Sequence, residues 1–338
     1  NRRKRLDKMN VKKCYLGIDV GSVSVNVVLM DRDKRVLKKM YRRTEGKPIV
    51  ILKRMLNDLY ESMGKNIVID GVGTTGSGRD LAAAMVGADV VKNEITAHGV
   101  AALTYVPNAR TVLEIGGQDS KIIILRDGVV VDFAMNTVCA AGTGSFLDRQ
   151  AARLNIPIEQ FGDIALRSKS PVRIAGRCAV FAESDMIHKQ QMGCPPEDII
   201  RGLCEALVRN YLNNVAKGKD IREEVVFQGG VAANRGICKA FEDALGCKVT
   251  VPEHYDVMGA LGSAILAQRK IESGHNTVFK GFESLRQEFV TRAFECSGCP
   301  NVCEIVEFKS SGKILARWGD RCGKWRVKET ECQMTSLA

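Results

Sequence analysis

The sequence has 338 residues, of which 45% are hydrophobic, and this is enough apolar content for two lobes that each bury a core. It contains no apolar run of the roughly 18 residues that cross a bilayer and no signal-peptide core, so we expect a cytoplasmic protein with no membrane partner. The net charge is +11, and residues 1–13 carry seven Lys or Arg against one Asp. No aromatic residue stands there to stack on bases, so this segment is interpreted as a basic linker and no nucleic-acid partner is expected. The sequence begins without Met, which suggests a fragment of a longer polypeptide.

The first predicted elements are two strands joined by a tight turn, in YLGIDVGSVSVNVVLMDRD. The same arrangement returns 95 residues later in VLEIGGQDSKIIILRDG, where Glu114 aligns with Asp19 and Gly116 with Gly21. A repeat of this length indicates a duplicated domain. In each copy an acidic residue ends a strand and a glycine turn follows. The N–H groups of such a turn suit phosphate, and the carboxylate can hold Mg²⁺ through water.

Apolar residues recur at helical spacing after each hairpin. We predict helices in residues 49–64, 78–87, 145–155, 181–193 and 196–218. A buried strand, a double-glycine turn and a helix follow in EEVVFQGGVAANRGICKAFEDALG. Gly229 and Gly230 have no Cβ, so the backbone there can lie against a nucleoside and a phosphate. A short strand and an Ala/Gly-rich helix at 258–272 complete this part of the chain.

The segments IDVGSVSV, EIGGQDSK, FQGGVAANRG and MGALGSAI resemble the phosphate and adenosine motifs of the acetate and sugar kinase/Hsp70/actin superfamily. Their order and spacing resemble its BadF/BadG/BcrA/BcrD-type branch, over about residues 14–270. The resemblance implies an α/β fold of duplicated ribonuclease-H-like lobes. Lobe I would span 14–108 and be completed by the helix 258–272, and lobe II would span 109–257. Residues 273–338 would form a small Cys-rich C-terminal extension.

The resemblance also implies a site for ATP and Mg²⁺. It gives catalytic roles to Asp19 and Asp119 as ligands of Mg²⁺ and water, and to Gln118 and Glu94 as residues that position the attacking water. The residues implied to contact the nucleotide are Gly21, Ser22, Ser24, Gly116, Gly117, Ser120, Lys121, Gly142, Thr143, Gly144, Gly229, Gly230, Asn234 and Gly259. The four histidines show no spacing typical of a metal pair and are interpreted as ordinary residues.

Two of the twelve cysteines, Cys139 and Cys178, stand just before predicted helices. A helix N-terminus favours a thiolate and any anionic cluster that it ligates, although small buried core residues are the alternative interpretation. In the activator family, cysteines in matching VCAAGTG and RCxVFAES contexts hold a [4Fe–4S] cluster. Such a cluster needs four thiolates, so the resemblance implies a homodimer that shares one cluster on its two-fold axis. A tandem copy in a longer polypeptide is the alternative source of the other two thiolates.

The function implied is that of an ATP-hydrolysing activase of 2-hydroxyacyl-CoA dehydratases or benzoyl-CoA reductases. It would take an electron from a ferredoxin or flavodoxin and pass it at low potential to the iron–sulfur site of the partner enzyme. ATP would draw the lobes together, and hydrolysis would reset them. The alternatives are a small-molecule kinase of the same fold, such as an N-acetylhexosamine kinase, and a scaffold domain that does not bind ATP. A sugar kinase has no need of Cys139 together with Cys178.

The C-terminal extension has a thiol pattern of its own. Cys296, Cys299 and Cys303 are spaced C-x₂-C-x₃-C, and Cys322 follows a predicted hairpin, EIVEF–KSSGK–ILARW. The pattern suits a tetrahedral site for zinc or a second, small iron–sulfur cluster, with free cysteines in a flexible tail as the alternative. We expect this hairpin to close without contacts to the core, so that the site is independent of the ATPase lobes.

Overall fold

The computed structural model describes three stretches of the chain, residues 12–64, 66–136 and 139–325. These stretches form two five-stranded sheets and one three-stranded sheet with helices packed on them. The chain divides into two compact units, one formed by 1–94 with 259–338 and the other by 95–258. No helix among the described residues is both long and apolar enough to cross a bilayer.

The strands and helices are numbered in chain order. The strands are β1 (Lys12–Val20), β2 (Ser24–Asp31), β3 (Val36–Arg43), β4 (Ile67–Thr75), β5 (Val90–Val91), β6 (Thr111–Ile115), β7 (Ser120–Arg126), β8 (Val129–Asn136), β9 (Val225–Gln228), β10 (Val249–Thr250), β11 (Phe289–Glu295), β12 (Glu304–Ser310) and β13 (Lys313–Trp318). The helices are α1 (Pro48–Ser62), α2 (Arg79–Val86), α3 (Glu94–Tyr105), α4 (Gly144–Leu154), α5 (Ile158–Ala165), α6 (Ala179–Gln191), α7 (Pro196–Asn214), α8 (Arg235–Leu245) and α9 (Met258–Glu272). The five helices predicted from periodicity correspond to α1, α2, α4, α6 and α7.

The two five-stranded sheets have the same topology. The strand order is β3-β2-β1-β4-β5 in the first unit and β8-β7-β6-β9-β10 in the second. In each sheet the first two strands are antiparallel, and the first strand pairs with a later strand in parallel. Even an irregularity is repeated, because a bulge lies between Leu29 and Met30 and again between Ile124 and Leu125. The duplication inferred from the sequence is therefore present in detail, and the predicted fold class is confirmed.

Helix α9 packs its backbone directly against the first sheet. A Cβ added to Gly73 of β4 would lie 2.0 Å from the carbonyl oxygen of Ser263 in α9. The hydroxyl of Ser263 is fully buried and donates a hydrogen bond to the carbonyl of Gly73 at 3.1 Å. This approach is possible only because position 73 has no side chain.

The described part of the C-terminal extension, residues 273–325, packs on the first unit. Phe308 of β12 is fully buried in the same apolar core as Leu16 of β1, and Leu285 joins this core as well. The N–H of Lys280 also donates to the carbonyl of Val86 at 2.9 Å. The predicted hairpin is present as β12 and β13, with β11 as a third strand. The expectation that it closes without core contacts is wrong, because a sheet of this size cannot bury its own apolar face.

The close packing of α9 on β4 leads to a stability prediction. We expect Gly73→Ala to lower the free energy of unfolding by about 1–3 kcal/mol, because the added methyl overlaps the backbone of α9. Gly230→Ala is the control, since a Cβ at position 230 would meet nothing within 4 Å, and its effect should stay within about 0.5 kcal/mol. Urea unfolding followed by circular dichroism measures both, and equal effects would contradict this packing.

Candidate functional site

The two repeated glycine turns are closed by the same hydrogen bond. In the first unit the N–H of Gly21 donates to the carbonyl of Ser24 at 2.9 Å, and in the second the N–H of Gly116 donates to the carbonyl of Asp119 at 3.0 Å. Ser22 lies exposed at the tip of the first turn, and Ser24 is half-buried at the start of β2. Both units therefore present a tight, closed turn at the end of a strand.

A glycine with positive φ follows the neighbouring parallel strand in each unit. Gly76 after β4 has φ +90°, and Gly229 after β9 has φ +91°. A Cβ on Gly76 would lie 2.5 Å from Oδ1 of Asp19, and a Cβ on Gly229 would lie 2.7 Å from Oε1 of Glu114. In each unit a carboxylate thus faces bare backbone at the carboxyl ends of two parallel strands, where α/β sheets bind their ligands. Sequence analysis singled out Gly229 but missed Gly76. Gly76 could have been found from the repeat, because it follows β4 as Gly229 follows β9.

Buried hydroxyl groups lie at the same strand ends. Among the described residues, the side-chain oxygens of Thr74, Thr75 and Ser120 are buried and have no hydrogen-bond partner. Thr75 is the residue paired with Asp19 between β1 and β4. Buried polar groups in native proteins are normally hydrogen-bonded, so these oxygens fit a site that a polar ligand completes.

In the second unit, Lys121 holds the two carboxylates of the turn. It is 3% exposed, and its Nζ lies 3.0 Å from Oε2 of Glu114 and 2.9 Å from Oδ2 of Asp119. Burial by itself lowers the pKa of this lysine, but the two carboxylates outweigh burial and hold its pKa above the ordinary value. Lys121 therefore stays charged and fixes Glu114 and Asp119, and its contact with nucleotide stays a prediction.

His98 is a buried histidine with a defined structural role. It is 6% exposed, and its Nδ1 lies 2.7 Å from the amide nitrogen of Gln228, which donates to it. Burial, and then the charge of Lys121, lower the pKa of His98 to about 3. It is therefore a neutral hydrogen-bond acceptor that fixes the last residue of β9, next to Gly229.

The predicted Gly142–Gly144 loop supports the second glycine turn. The N–H of Gly144 donates to the carbonyl of Gly116 at 2.9 Å, and the N–H of Ser145 donates to the carbonyl of Gly117 at 2.8 Å. The hydroxyl of Thr143 is used within its own turn, at 2.8 Å from a backbone carbonyl. The start of α4 is therefore hydrogen-bonded to the turn between β6 and β7. Direct contact between the Gly142–Gly144 loop and nucleotide stays a prediction.

The remaining predicted nucleotide residues are dispersed over several elements. Asn234 caps α8, because its Oδ1 accepts the N–H of Ile237 at 3.1 Å. Gly230 faces open space, Gly259 is buried in the first turn of α9, and Gln118 is exposed. Glu94 begins α3, with Oε2 4.0 Å from a guanidinium nitrogen of Arg79. Their roles stay predictions.

Cys139 and Cys178 lie at the starts of a short 3₁₀ turn and of α6. The N–H of Cys139 donates to Oδ1 of Asn136 at 3.0 Å, and the side-chain amide of Asn136 donates back to the carbonyl of Cys139 at 2.9 Å. The carbonyl of Cys178 accepts the N–H of Ala182 at 3.0 Å, so this residue begins the helix. Both thiols are half-buried and free.

One buried amide lies between the two thiol loops. Asn210 of α7 is 2% exposed, and its Nδ2 donates to the carbonyl of Gly176, two residues before Cys178, at 2.6 Å. A Cβ added to Gly142, in the Cys139 loop, would lie 2.8 Å from Oδ1 of Asn210. Sequence analysis missed Asn210. This residue could have been found as an asparagine that lies among apolar residues on the buried face of a long helix.

The cysteines, histidines and acidic residues of the described stretches are the side chains whose grouping could hold a metal. Among residues 12–64, 66–136 and 139–325, no three His, Cys, Asp or Glu side chains are placed to hold a metal ion together. Cys139 and Cys178 are two thiols on adjoining loops, which is half of what a [4Fe–4S] cluster requires. The other two thiolates of such a cluster would have to come from a second copy or from a tandem copy of this domain.

The sequence profile of the BadF/BadG/BcrA/BcrD ATPase family matches residues 16–267, which include both glycine turns and both thiol loops. The chain belongs to this ATPase family. The family assignment and the ATPase activity predicted from the sequence are thereby confirmed.

Similar proteins agree with this assignment. The (R)-2-hydroxyglutaryl-CoA dehydratase activating ATPase of Acidaminococcus fermentans is 33% identical over 262 residues, covering 75% of this chain and 97% of that protein. The activator of lactoyl-CoA dehydratase from Anaerotignum propionicum is 34% identical over 254 residues, covering 75% and 96%. The solved structure of the activator of the 2-hydroxyisocaproyl-CoA dehydratase from Clostridium difficile, with bound ADPNP, has a TM-score of 0.69 and 30% identity, covering 77% of this chain and 96% of that chain. These relatives favour the ATPase activator over the small-molecule kinase.

The neutral, buried His98 makes stability sensitive to acid. Its pKa is about 3 in the folded chain against an ordinary 6.5, so between these pH values the unfolded chain binds the extra proton. Stability should therefore fall as the pH drops from about 6.5 towards 3, by up to about 1.4 kcal/mol per pH unit from this residue. His98→Gln should remove that slope in urea unfolding measured between about pH 4 and 8. His275→Gln, at an exposed position, is the control and should keep the pH dependence of the parent chain. If His98→Gln also keeps that pH dependence, His98 is not the neutral buried histidine described here.

Proposed function

We propose that this family member couples ATP hydrolysis to the transfer of a low-potential electron to a partner iron–sulfur enzyme of the 2-hydroxyacyl-CoA dehydratase or benzoyl-CoA reductase type. The observation that carries the proposal is the clamp between the start of α4 and the second glycine turn. Gly144 and Ser145 donate to the carbonyls of Gly116 and Gly117, and Cys139 stands just ahead of them in the chain. A change at the phosphate-facing turn would therefore be passed directly to a thiol loop.

Groups at the strand ends would bind the nucleotide and its Mg²⁺. The carboxylate of Asp19 is 9% exposed and faces the bare backbone of Gly76, which suits a hydrated Mg²⁺. Asp119 is held by Lys121 in the second turn, and Gln118 beside it is exposed and free to orient water. We assign Mg²⁺ and water binding to Asp19 and Asp119 and positioning of the attacking water to Gln118 and Glu94.

The electron carrier would be a [4Fe–4S] cluster held by Cys139 and Cys178. The cluster supplies reversible one-electron chemistry, and the chain's own residues hold its thiolates at the starts of a 3₁₀ turn and a helix. Asn210 lies between the two loops, because its side-chain nitrogen donates to the carbonyl of Gly176 and its side-chain oxygen lies close to Gly142. Two thiols per chain require a homodimer with one shared cluster, or a tandem copy in a longer polypeptide.

The surface beside Cys178 supports an acidic docking partner. A cavity of about 1310 Å³ lies next to this loop, and its charged side chains are mostly basic. The basic residues are Arg173, Arg177, Lys189, Arg209 and Lys217. We propose that the partner enzyme presents an acidic face here, that a ferredoxin or flavodoxin supplies the electron, and that both steps take place in the cytoplasm.

The nucleotide assignment predicts a Mg²⁺-dependent ATPase that fails when Asp19 is neutralised. We expect Asp19→Asn to lower kcat by roughly 10²-fold or more, because the carboxylate that holds the hydrated cation is lost. Asp33→Asn, an exposed acidic residue of the same unit, is the matched control and should leave kcat unchanged. Phosphate release measures the rate, and calorimetry with a non-hydrolysable ATP analogue measures binding. An absence of binding by the parent chain at millimolar analogue would refute the proposal.

The cluster assignment predicts that Cys139→Ser and Cys178→Ser each abolish an oxygen-labile visible chromophore. Anaerobic parent protein should contain about one cluster per dimer, hence about two iron atoms per chain at these thiols. Visible absorption and iron analysis on freshly purified protein measure the loss.

Two further variants sharpen this test. Cys194→Ser changes a free, half-buried thiol outside the proposed site and should retain the chromophore. Asn210→Ala keeps both thiols but leaves the carbonyl of Gly176 without its donor, so we expect partial loss of cluster with ATP binding retained. If both cysteine variants keep the parental iron content and spectrum, the shared-cluster assignment is wrong.

A further inference from the structure

The three-stranded sheet brings two thiol-bearing segments to one of its ends. The loop between β11 and β12 contains three cysteines, and the segment after β13 contains the fourth. β12 is antiparallel to both of its neighbours, with Glu295 opposite Glu304 and Trp318 opposite Val306. The loop 296–303 and the segment 319–325 therefore begin side by side. The proposed nucleotide site and shared cluster use neither segment.

The loop 296–303 folds back over its first sulfur. The N–H of Cys296 donates to the carbonyl of Cys303 at 2.8 Å, which closes the base of the loop. The N–H of Gly298 points to Sγ of Cys296 at 3.4 Å. Donors that fix the direction of a sulfur are the usual surroundings of a metal-bound thiolate. The C-x₂-C spacing from Cys296 to Cys299 is the spacing of zinc-binding loops.

The segment 319–325 returns to this same sulfur. It starts tightly against β12, since a Cβ on Gly319 would lie 2.2 Å from the carbonyl oxygen of Glu304. Oδ2 of Asp320 accepts the N–H of Trp325 at 3.0 Å, which closes the segment into a loop around Cys322. The indole N–H of Trp325 then donates to Sγ of Cys296 at 3.2 Å. The two thiol segments are thus in direct contact.

Two cations and one carboxylate lie beside these thiols, the carboxylate being Asp320, whose Oδ2 accepts from Sγ of Cys322 at 3.8 Å. The guanidinium of Arg317 lies 5.4 Å from the ring centroid of Trp325. Nζ of Lys324 lies 3.4 Å from the point that a Cβ on Gly298 would occupy. Four thiolates around a divalent ion leave a net double negative charge, which these two cations offset.

We propose that Cys296, Cys299, Cys303 and Cys322 bind one zinc ion in tetrahedral geometry at this end of the sheet. In the structure, Cys299 and Cys322 are exposed, and no three ligands among the described residues are gathered, so these two side chains must turn inward to bind. Zinc fits better than a cluster because a single ion with Zn–S bonds of about 2.3 Å needs little room, and C-x₂-C is the spacing of zinc-binding loops. The ion ties the two segments together, while Phe308 anchors the sheet without it.

The test measures zinc and iron by mass spectrometry in the full chain carrying Cys139→Ser and Cys178→Ser, so that iron at those thiols does not contribute. We expect about one zinc per chain. Adding Cys299→Ser or Cys322→Ser should lower the zinc content at least about tenfold. Adding Cys194→Ser or Cys247→Ser, at free thiols of the other unit, should not change it. Protein grown with Co²⁺ should show the visible absorption of tetrahedral cobalt thiolate, and Cys299→Ser should lose it.

Two further measurements decide between the proposal and its rivals. In the zinc-loaded chain, Cys299 and Cys322 should resist alkylation despite their exposure and react after chelation. ATP-analogue binding by the Cys299→Ser chain should equal that of the parent, since the change lies outside the nucleotide residues. Equal zinc in Cys299→Ser and Cys194→Ser, or no zinc in protein purified with zinc present, would overturn the site. Iron in place of zinc would overturn the metal assignment, and zinc loss by Cys194→Ser would overturn the ligand set.

Discussion

The architecture depends on a carboxylate that faces glycine backbone at the carboxyl ends of two parallel strands. Asp19 faces Gly76 in the first unit, and Glu114 faces Gly229 in the second. Both glycines have φ near +90°, a conformation that other residues rarely adopt, so the backbone beside each carboxylate stays uncovered. The repeated turn hydrogen bond, the repeated bulge and the shared strand order all preserve this arrangement. A gene duplication explains why two sites of the same construction occur in one chain.

The second copy is held by a buried lysine and a buried histidine. Lys121 neutralises the carboxylates of its turn, and His98 fixes the adjoining strand as a neutral acceptor. The start of α4 is hydrogen-bonded to this same turn, and Cys139 stands just before it. Asn210 extends the connection to the loop of Cys178. Hydrogen bonds therefore connect the second glycine turn to the start of α4, and Asn210 packs between this region and the loop of Cys178.

The C-terminal extension shows that an added segment need not be a separate domain. Its sheet has one apolar face, and Phe308 buries that face in the core of the first unit. The sheet is positioned by its packing against the first unit. Its two thiol-bearing segments, 296–303 and 319–325, lie together at one end of the sheet. The strands are held by the core, so the thiol-bearing loops beyond them are not needed to hold the sheet in place.

The sequence by itself determined the duplication, the helices with clear periodicity, the glycine turns and the family, because these depend on local patterns and on spacing along the chain. It did not reveal the edge strands β3, where charged and apolar residues alternate, and β8, whose mostly apolar residues lie largely exposed, nor Gly76 as the neighbour of Asp19. Asn210 and His98 are distant in sequence from the groups they hold, by 34 residues for Asn210 and Gly176 and by 130 for His98 and Gln228. Only the tertiary structure could bring them together, because a buried hydrogen bond is decided by which surfaces the core packs against each other.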